Sequence, residues 1–175
     1  MLYKQVYSSP IGELSLVADE ESLVGIWFLG QQHFEAGLVE KPVEKKTDLL
    51  ARLVHSLESY FQTGQADFAD LPLASRGTDF QRRVWSYLQD IPAGQTVTYG
   101  QIAQALGIRS AQAVGGAVGR NPWSILVPCH RVLGSQGQLT GYAGGLDKKI
   151  WLLQHEGISL DEKQISSYHR SSEKK

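Results

Sequence analysis

The chain has 175 residues, enough for one sizeable core or two small ones, and 42% hydrophobic with 20% charged residues is an ordinary globular composition. No apolar run approaches the ~20 residues of a membrane-spanning helix, and residues Met1 to Tyr7 contain no signal-peptide core. A single cysteine makes no internal disulfide, which fits a reducing compartment, so the chain is expected to be cytoplasmic.

There is no Cys-x-x-Cys, and the histidines at 33, 55, 130, 155 and 169 show no ligand spacing, so neither metal nor cofactor is expected. The net charge of −1 conceals a split. Residues 1–75 set five cations against eleven carboxylates, a net −6, whereas residues 76–131 set six arginines against two, a net +4. Arginine is the side chain best shaped for phosphate, so the split reads as a nucleic-acid footprint or as an accident of composition.

Residues 2–29 read as a β-meander. Leu14, Leu16 and Ala18 alternate with Ser15 and Val17, Val24 to Leu29 is a stronger strand, and Ser8 to Gly12 and Asp19 to Ser22 supply turns. Thr47 to Gln62 reads as a helix. Leu49, Leu50, Leu53, Val54, Leu57, Tyr60 and Phe61 make one apolar stripe, with Gly64 beyond it. His55 falls on the polar side and is expected in solvent. A helix over a small antiparallel sheet makes an α+β unit, expected over residues 1–75 as a structural domain, with Gln65 to Gly77 as the linker.

A mostly helical domain is expected at 76–160. Thr78-Asp79-Phe80-Gln81 is a capping box opening a helix that presents Phe80, Val84, Trp85 and Leu88 inward and stops before Ile91-Pro92. Thr98-Tyr99-Gly100-Gln101 is a second box, whose helix Gly107 closes. Ser110 then caps a third helix from Ala111 to about Val118. The last two suit a helix-turn-helix. The third helix, Ala-Gln-Ala-Val-Gly-Gly-Ala-Val, is nearly bare of base-reading side chains. Such a helix either approaches a duplex closely without reading sequence or packs internally. Leu146 to Glu156 is the last expected helix, and 161–175 is expected to be a frayed tail.

The lone cysteine, Cys129, ends the apolar run Ile125-Leu126-Val127, directly after Pro128 and directly before His130. The run reads as a short buried strand ending at a rigid corner, since Pro128 fixes its own φ and drives Val127 extended. A solitary cysteine is commonly an inert buried side chain. An adjacent imidazole can instead take the proton of a reactive thiol, provided the backbone turns between them.

Pro128-Cys129-His130-Arg131-Val132 resembles the active-site motif of the O6-alkylguanine-DNA alkyltransferases, or methylated-DNA–protein-cysteine methyltransferases. Asn121-Pro122 upstream, Gly141-Tyr142-Ala143-Gly144-Gly145 and Trp151 to Gly157 downstream match in order and spacing. The specific match runs from about Asp79 to Gly157, roughly half the chain. The resemblance implies irreversible, single-turnover transfer of an alkyl group from O6 of guanine to Cys129. His130 would be the base, Glu156 would orient it, and Asn121 would brace the turn. Tyr99 would crowd the phosphate and hydrogen-bond the departing guanine. Val132, Tyr142 and Ala143 would line the pocket.

The implied partner is double-stranded DNA carrying O6-alkylguanine, bound by a monomer through the minor groove with the nucleotide flipped out, and no membrane is involved. Ser110, Gln112, Ala113, Gly115, Gly116, Arg109, Arg120 and Arg131 would form the DNA face. Gln112 stands where most members carry an arginine, which shortens the reach into the space left by a flipped base. Two other classes remain open: a non-catalytic DNA-binding module, and a Cys-His-Glu hydrolase that turns over.

Overall fold

The computed structural model describes residues 1–165, and the chain divides into two compact units, Met1–Gly77 with Pro122–Leu126, and Thr78–Asn121 with the rest from Val127. In the first unit, β1 (Tyr3–Ser9), β2 (Gly12–Ala18) and β3 (Leu23–Phe28) form an antiparallel meander, and β4 (Val43–Glu44) adds a short parallel edge beside β1. Helix α1 (Asp48–Thr63) is capped by the Thr47 side chain and stopped by Gly64 at φ 79°. Its buried residues are Leu50, Leu53, Leu57, Tyr60 and Phe61, five of the seven positions in the expected stripe. Val17 is buried as fully as Leu16, because the sheet's second face is covered too: Val17 clusters with Leu2, Val24 and Trp27 beneath Phe34 and Leu38.

Gln65–Gly77 is not a loose linker along its length. Leu23 N–H donates to the Pro72 carbonyl at 2.8 Å, and Ala74 N–H donates to the Leu23 carbonyl at 2.8 Å. This segment therefore continues the sheet along β3. The expected Ile125-Leu126-Val127 strand is also absent. Ser124 to Leu126 forms a turn in which Leu126 N–H reaches back to the Ser124 carbonyl at 2.9 Å and Ile125 sits at φ 74°. That is the strained hand of the three-residue γ-turn, and a β-branched residue rarely adopts it. The neighbouring Trp123 bridges Ile26 and donates its indole N–H to the Leu23 carbonyl at 2.9 Å.

In the second unit, α2 (Asp79–Gln89) and α3 (Tyr99–Leu106) each open with the expected reciprocal capping box. Gly107, at φ 68°, ends α3 in the left-handed conformation that glycine adopts without strain. Helix α4 (Ala111–Gly119) follows after the Ser110 cap, completing the helix-turn-helix. It is not internal: Val114, Ala117 and Val118 are buried, while Gln112, Ala113, Gly116 and Gly119 are exposed. Trp85 Nε1 donates to the Ala117 carbonyl at 2.8 Å and ties α2 to α4. Two short parallel strands, β5 (Val97–Thr98) and β6 (Val132–Leu133), join the start of α3 to the segment after Cys129. Helix α5 (Leu146–His155) completes the unit, with Glu156 at its C-cap.

The tail expected to fray from 161 is held at its start. Asp161 and Gln164 exchange side-chain-to-backbone bonds of 2.9 and 2.7 Å, a reciprocal cap like those of α2 and α3. Residues 166–175 of that tail lie outside the described residues.

Candidate active site and DNA-binding face

Cys129 is placed by two successive tight turns. Pro128, at φ −80° and ψ 67°, is the centre of an inverse γ-turn in which Cys129 N–H donates to the Val127 carbonyl at 2.8 Å. A single 3₁₀ turn over Cys129–Arg131 follows. The backbone therefore coils between Cys129 and His130, which removes the opposite-face arrangement a strand would impose. Asn121 Nδ2 donates to the Val127 carbonyl at 2.7 Å, and its side chain also hydrogen-bonds the thiol.

Cys129 is 8% exposed, and burial pushes the thiol pKa up while the Asn121 hydrogen bond and the charge of Lys149 pull it down. His130 is fully buried. Its Nε2 lies 2.6 Å from Glu156 Oε2, and its Nδ1 is buried without a hydrogen-bond partner in the described structure. Burial lowers the His130 pKa against the opposing pull of Glu156, so the ring is neutral near pH 7. Burial raises the Glu156 pKa, but the hydrogen bonds and charges of His130 and Arg131 outweigh it and hold the carboxyl at about 2. With the carboxylate ionised, Nε2 must carry the imidazole proton, and Nδ1 is the free base.

Arg131 is not on the expected DNA face. It is 8% exposed, with Nε 2.7 Å and Nη2 3.0 Å from the two Glu156 oxygens, and Nη1 donating to the Ile91 carbonyl at 2.6 Å. Three other arginines of the positive segment are also engaged: Arg76 with the Val24 and Ala36 carbonyls, Arg82 with Asp79, and Arg83 with the Leu106 carbonyl. Arg109 and Arg120, at the two ends of α4, are exposed, as are Ser110, Gln112, Ala113 and Gly116. Gly115 is half-buried, and a Cβ built there would meet the Tyr99 ring at 3.8 Å.

Tyr99 is the first residue of α3, and its phenol oxygen accepts from Thr140 Oγ1 at 3.1 Å. Burial raises its pKa, so it remains a proton donor at neutral pH. Tyr142 meets His130 edge-on with centroids 6.4 Å apart, and Ala143 follows it, half-buried. Val132 is fully buried in β6.

Sequence reasoning missed Lys149 and Thr140. The Lys149 side chain is completely buried, its Nζ donating to the Val132 carbonyl at 2.6 Å and the Thr140 carbonyl at 3.2 Å. Burial lowers its pKa to about 8, and the titratable group that opposes this is Cys129. The signal was available: Lys149 lies three and four residues before the core residues Leu152 and Leu153, on their helix face. Among the described residues, no three His, Cys, Asp or Glu side chains gather where they could hold a metal ion.

A helix-turn-helix unit that carries a braced thiol and a neutral imidazole in one short turn, with an ionised carboxylate brought to them from the end of α5, defines a DNA-binding protein with a cysteine nucleophile. The comparisons with known proteins agree. Residues 79–158 match the family model described as 6-O-methylguanine DNA methyltransferase, DNA binding domain, and residues 2–75 match the ribonuclease-like domain of the same proteins. The methylated-DNA–protein-cysteine methyltransferase of Methanosarcina acetivorans is 44% identical over 89% of this chain and 99% of its own length. The Haemophilus influenzae protein of the same name is 40% identical over 93% and 90%. The M. tuberculosis O6-methylguanine methyltransferase structure superposes with a TM-score of 0.75 at 38% identity, covering 94% of this chain and 99% of that one. An M. tuberculosis structure in complex with DNA gives 0.75 at 41%, over 88% and 92%. The chain belongs to the O6-methylguanine-DNA methyltransferase family.

Proposed function

We propose that this protein repairs alkylated DNA by moving the alkyl group of O6-alkylguanine onto Sγ of Cys129, once per molecule. One observation carries the assignment. The only cysteine of a chain in this family is braced by Asn121 and directly precedes a neutral histidine whose Nε2 is committed to Glu156. In the transfer, Sγ attacks the alkyl carbon and the bond from that carbon to O6 breaks. The thiol proton passes to His130 Nδ1, directly or through one water. The electron pair leaves on the guanine, where the Tyr99 hydroxyl supplies a hydrogen bond. The product is a thioether, which nothing in the site can cleave.

A guanine within a duplex does not reach a cysteine as buried as Cys129, so the nucleotide is flipped out. The exposed Ala and Gly face of α4 lets a minor groove come close, with Arg109 and Arg120 at its ends for phosphates. Gln112 enters the space left behind. The Val132 carbonyl keeps one lone pair beyond its bond to Lys149 for a base edge, with Tyr142 and Ala143 beside it. The protein acts as a monomer in the cytoplasm, where the thiol stays reduced. No described helix is long and apolar enough to cross a membrane.

Titration with excess methylated duplex tests this reading. Repaired guanine should plateau at one per protein. Continued accumulation would mark a hydrolase, and DNA binding without repair would mark a recognition module.

A further inference from the structure

We infer that Arg131 is a positioning residue of the transfer reaction: it holds the Glu156 carboxylate by both oxygens and thereby sets which nitrogen of His130 carries the proton. The inference rests on the activity proposed above. All three nitrogens of the guanidinium are used. Nε and Nη2 grip Oε1 and Oε2 of Glu156 at 2.7 and 3.0 Å, and Nη1 is anchored on the Ile91 carbonyl just past α2. Such a two-point grip fixes the plane of the carboxylate, and a single point charge would not.

Glu156 needs that grip. Its side chain is fully buried, and it caps the C-terminus of α5, the end whose partial negative charge repels a carboxylate. His130 supplies one hydrogen bond to it and Arg131 supplies two. Without the arginine, the carboxylate loses the two bonds that fix its plane and takes up a proton more readily. His130 then loses the acceptor that keeps its proton on Nε2 and its base on Nδ1. The hydrogen bonds of Arg131 go to Glu156 and the Ile91 carbonyl, and its charge also lowers the His130 pKa directly, which favours the same neutral ring.

Arg131→Met and Arg131→Lys decide the matter through three measurements: transfer rate at saturating methylated duplex, duplex affinity against salt, and the ¹⁵N shifts of the His130 ring. The rate should fall by about tenfold to a hundredfold in both variants, the usual loss when an orienting partner is removed. Lysine should restore little of it. Affinity and its salt dependence should stay unchanged, and the ring should shift from one tautomer to a mixture. Two results would overturn the inference: an unchanged His130 tautomer, or a salt slope lowered by about one with the saturated rate intact, the mark of a lost phosphate contact. If Arg131→Met fails to fold, it is combined with Glu156→Gln, which removes both charges. That pair should be no slower than Glu156→Gln alone, and a further loss would overturn the inference. A wild-type protein that transfers nothing would refute the proposed function, while the tautomer shift would still decide the role of Arg131.

Discussion

His130 meets Glu156 at 2.6 Å through Nε2, and that contact leaves Nδ1 as the nitrogen that would take the thiol proton in the proposed transfer. Replacing Glu156 by glutamine should slow transfer and destabilise the fold, because Arg131 would then be a buried cation without its carboxylate. The pH dependence has a definite sign. A carboxyl whose folded pKa is lowered from 4.5 to about 2 stabilises the protein above pH 4.5, by about 3 kcal/mol, and loses that contribution as pH falls toward 2. Denaturant titrations should therefore show wild type and Glu156→Gln well separated at pH 7 and converging below pH 4.

Lys149 has the opposite cost. Its folded pKa is lowered from 10.5 to about 8, so the unfolded chain binds its proton more tightly. Stability should rise as pH climbs from 8 to 10.5, and Lys149→Met should lack that rise. The same variant removes the one cation among the described residues that lowers the Cys129 pKa. The pH profile of Cys129 alkylation by a small thiol reagent should move to higher pH. Neutral solutions would then hold about tenfold less thiolate for every pH unit that the profile moves.

Much of the architecture was legible because it is local. The reciprocal caps at Thr78 and Thr98 and the Gly64 and Gly107 stops depend on neighbours within four residues. What stayed hidden depends on distant chain. Ile125-Leu126-Val127 reads as a strand by composition, yet Trp123 is held by β3 and the chain turns two residues later with Ile125 at positive φ. Gln65–Gly77 reads as a linker because it is polar, and its backbone bonds to Leu23 leave no periodicity. Arg131 reads as a phosphate contact by residue type, and only the fold brings Glu156 to it.

Asn121 closes the segment before the active-site turn. Asn121→Ala removes one of two donors from the buried Val127 carbonyl, the Cys129 N–H being the other, and should cost about 0.5–1.5 kcal/mol of stability, read from the shift in denaturant midpoint at unchanged slope. It also removes a hydrogen bond that lowers the Cys129 pKa, so transfer at neutral pH should slow as well.

The bare face of α4 separates stability from binding. A Cβ at Gly116 meets nothing within 4 Å, so Gly116→Ala should stabilise the helix by roughly 0.5–1 kcal/mol. The added methyl should nonetheless weaken duplex binding where the groove approaches. Greater stability with unchanged affinity would show that this face does not meet DNA.

Gln112→Arg should tighten duplex binding and steepen its salt dependence, raising the slope by about one, if the side chain at 112 enters the groove. Unchanged affinity and transfer rate would mean that the glutamine has no consequence.

The most direct measurement is peptide-resolved mass spectrometry of the protein after one incubation with duplex carrying O6-methylguanine. The account predicts a single added methyl, confined to the peptide that contains Cys129 and absent from Cys129→Ala. Repair of the guanine with an unmodified Cys129, or a methyl carried elsewhere on the chain, would contradict it.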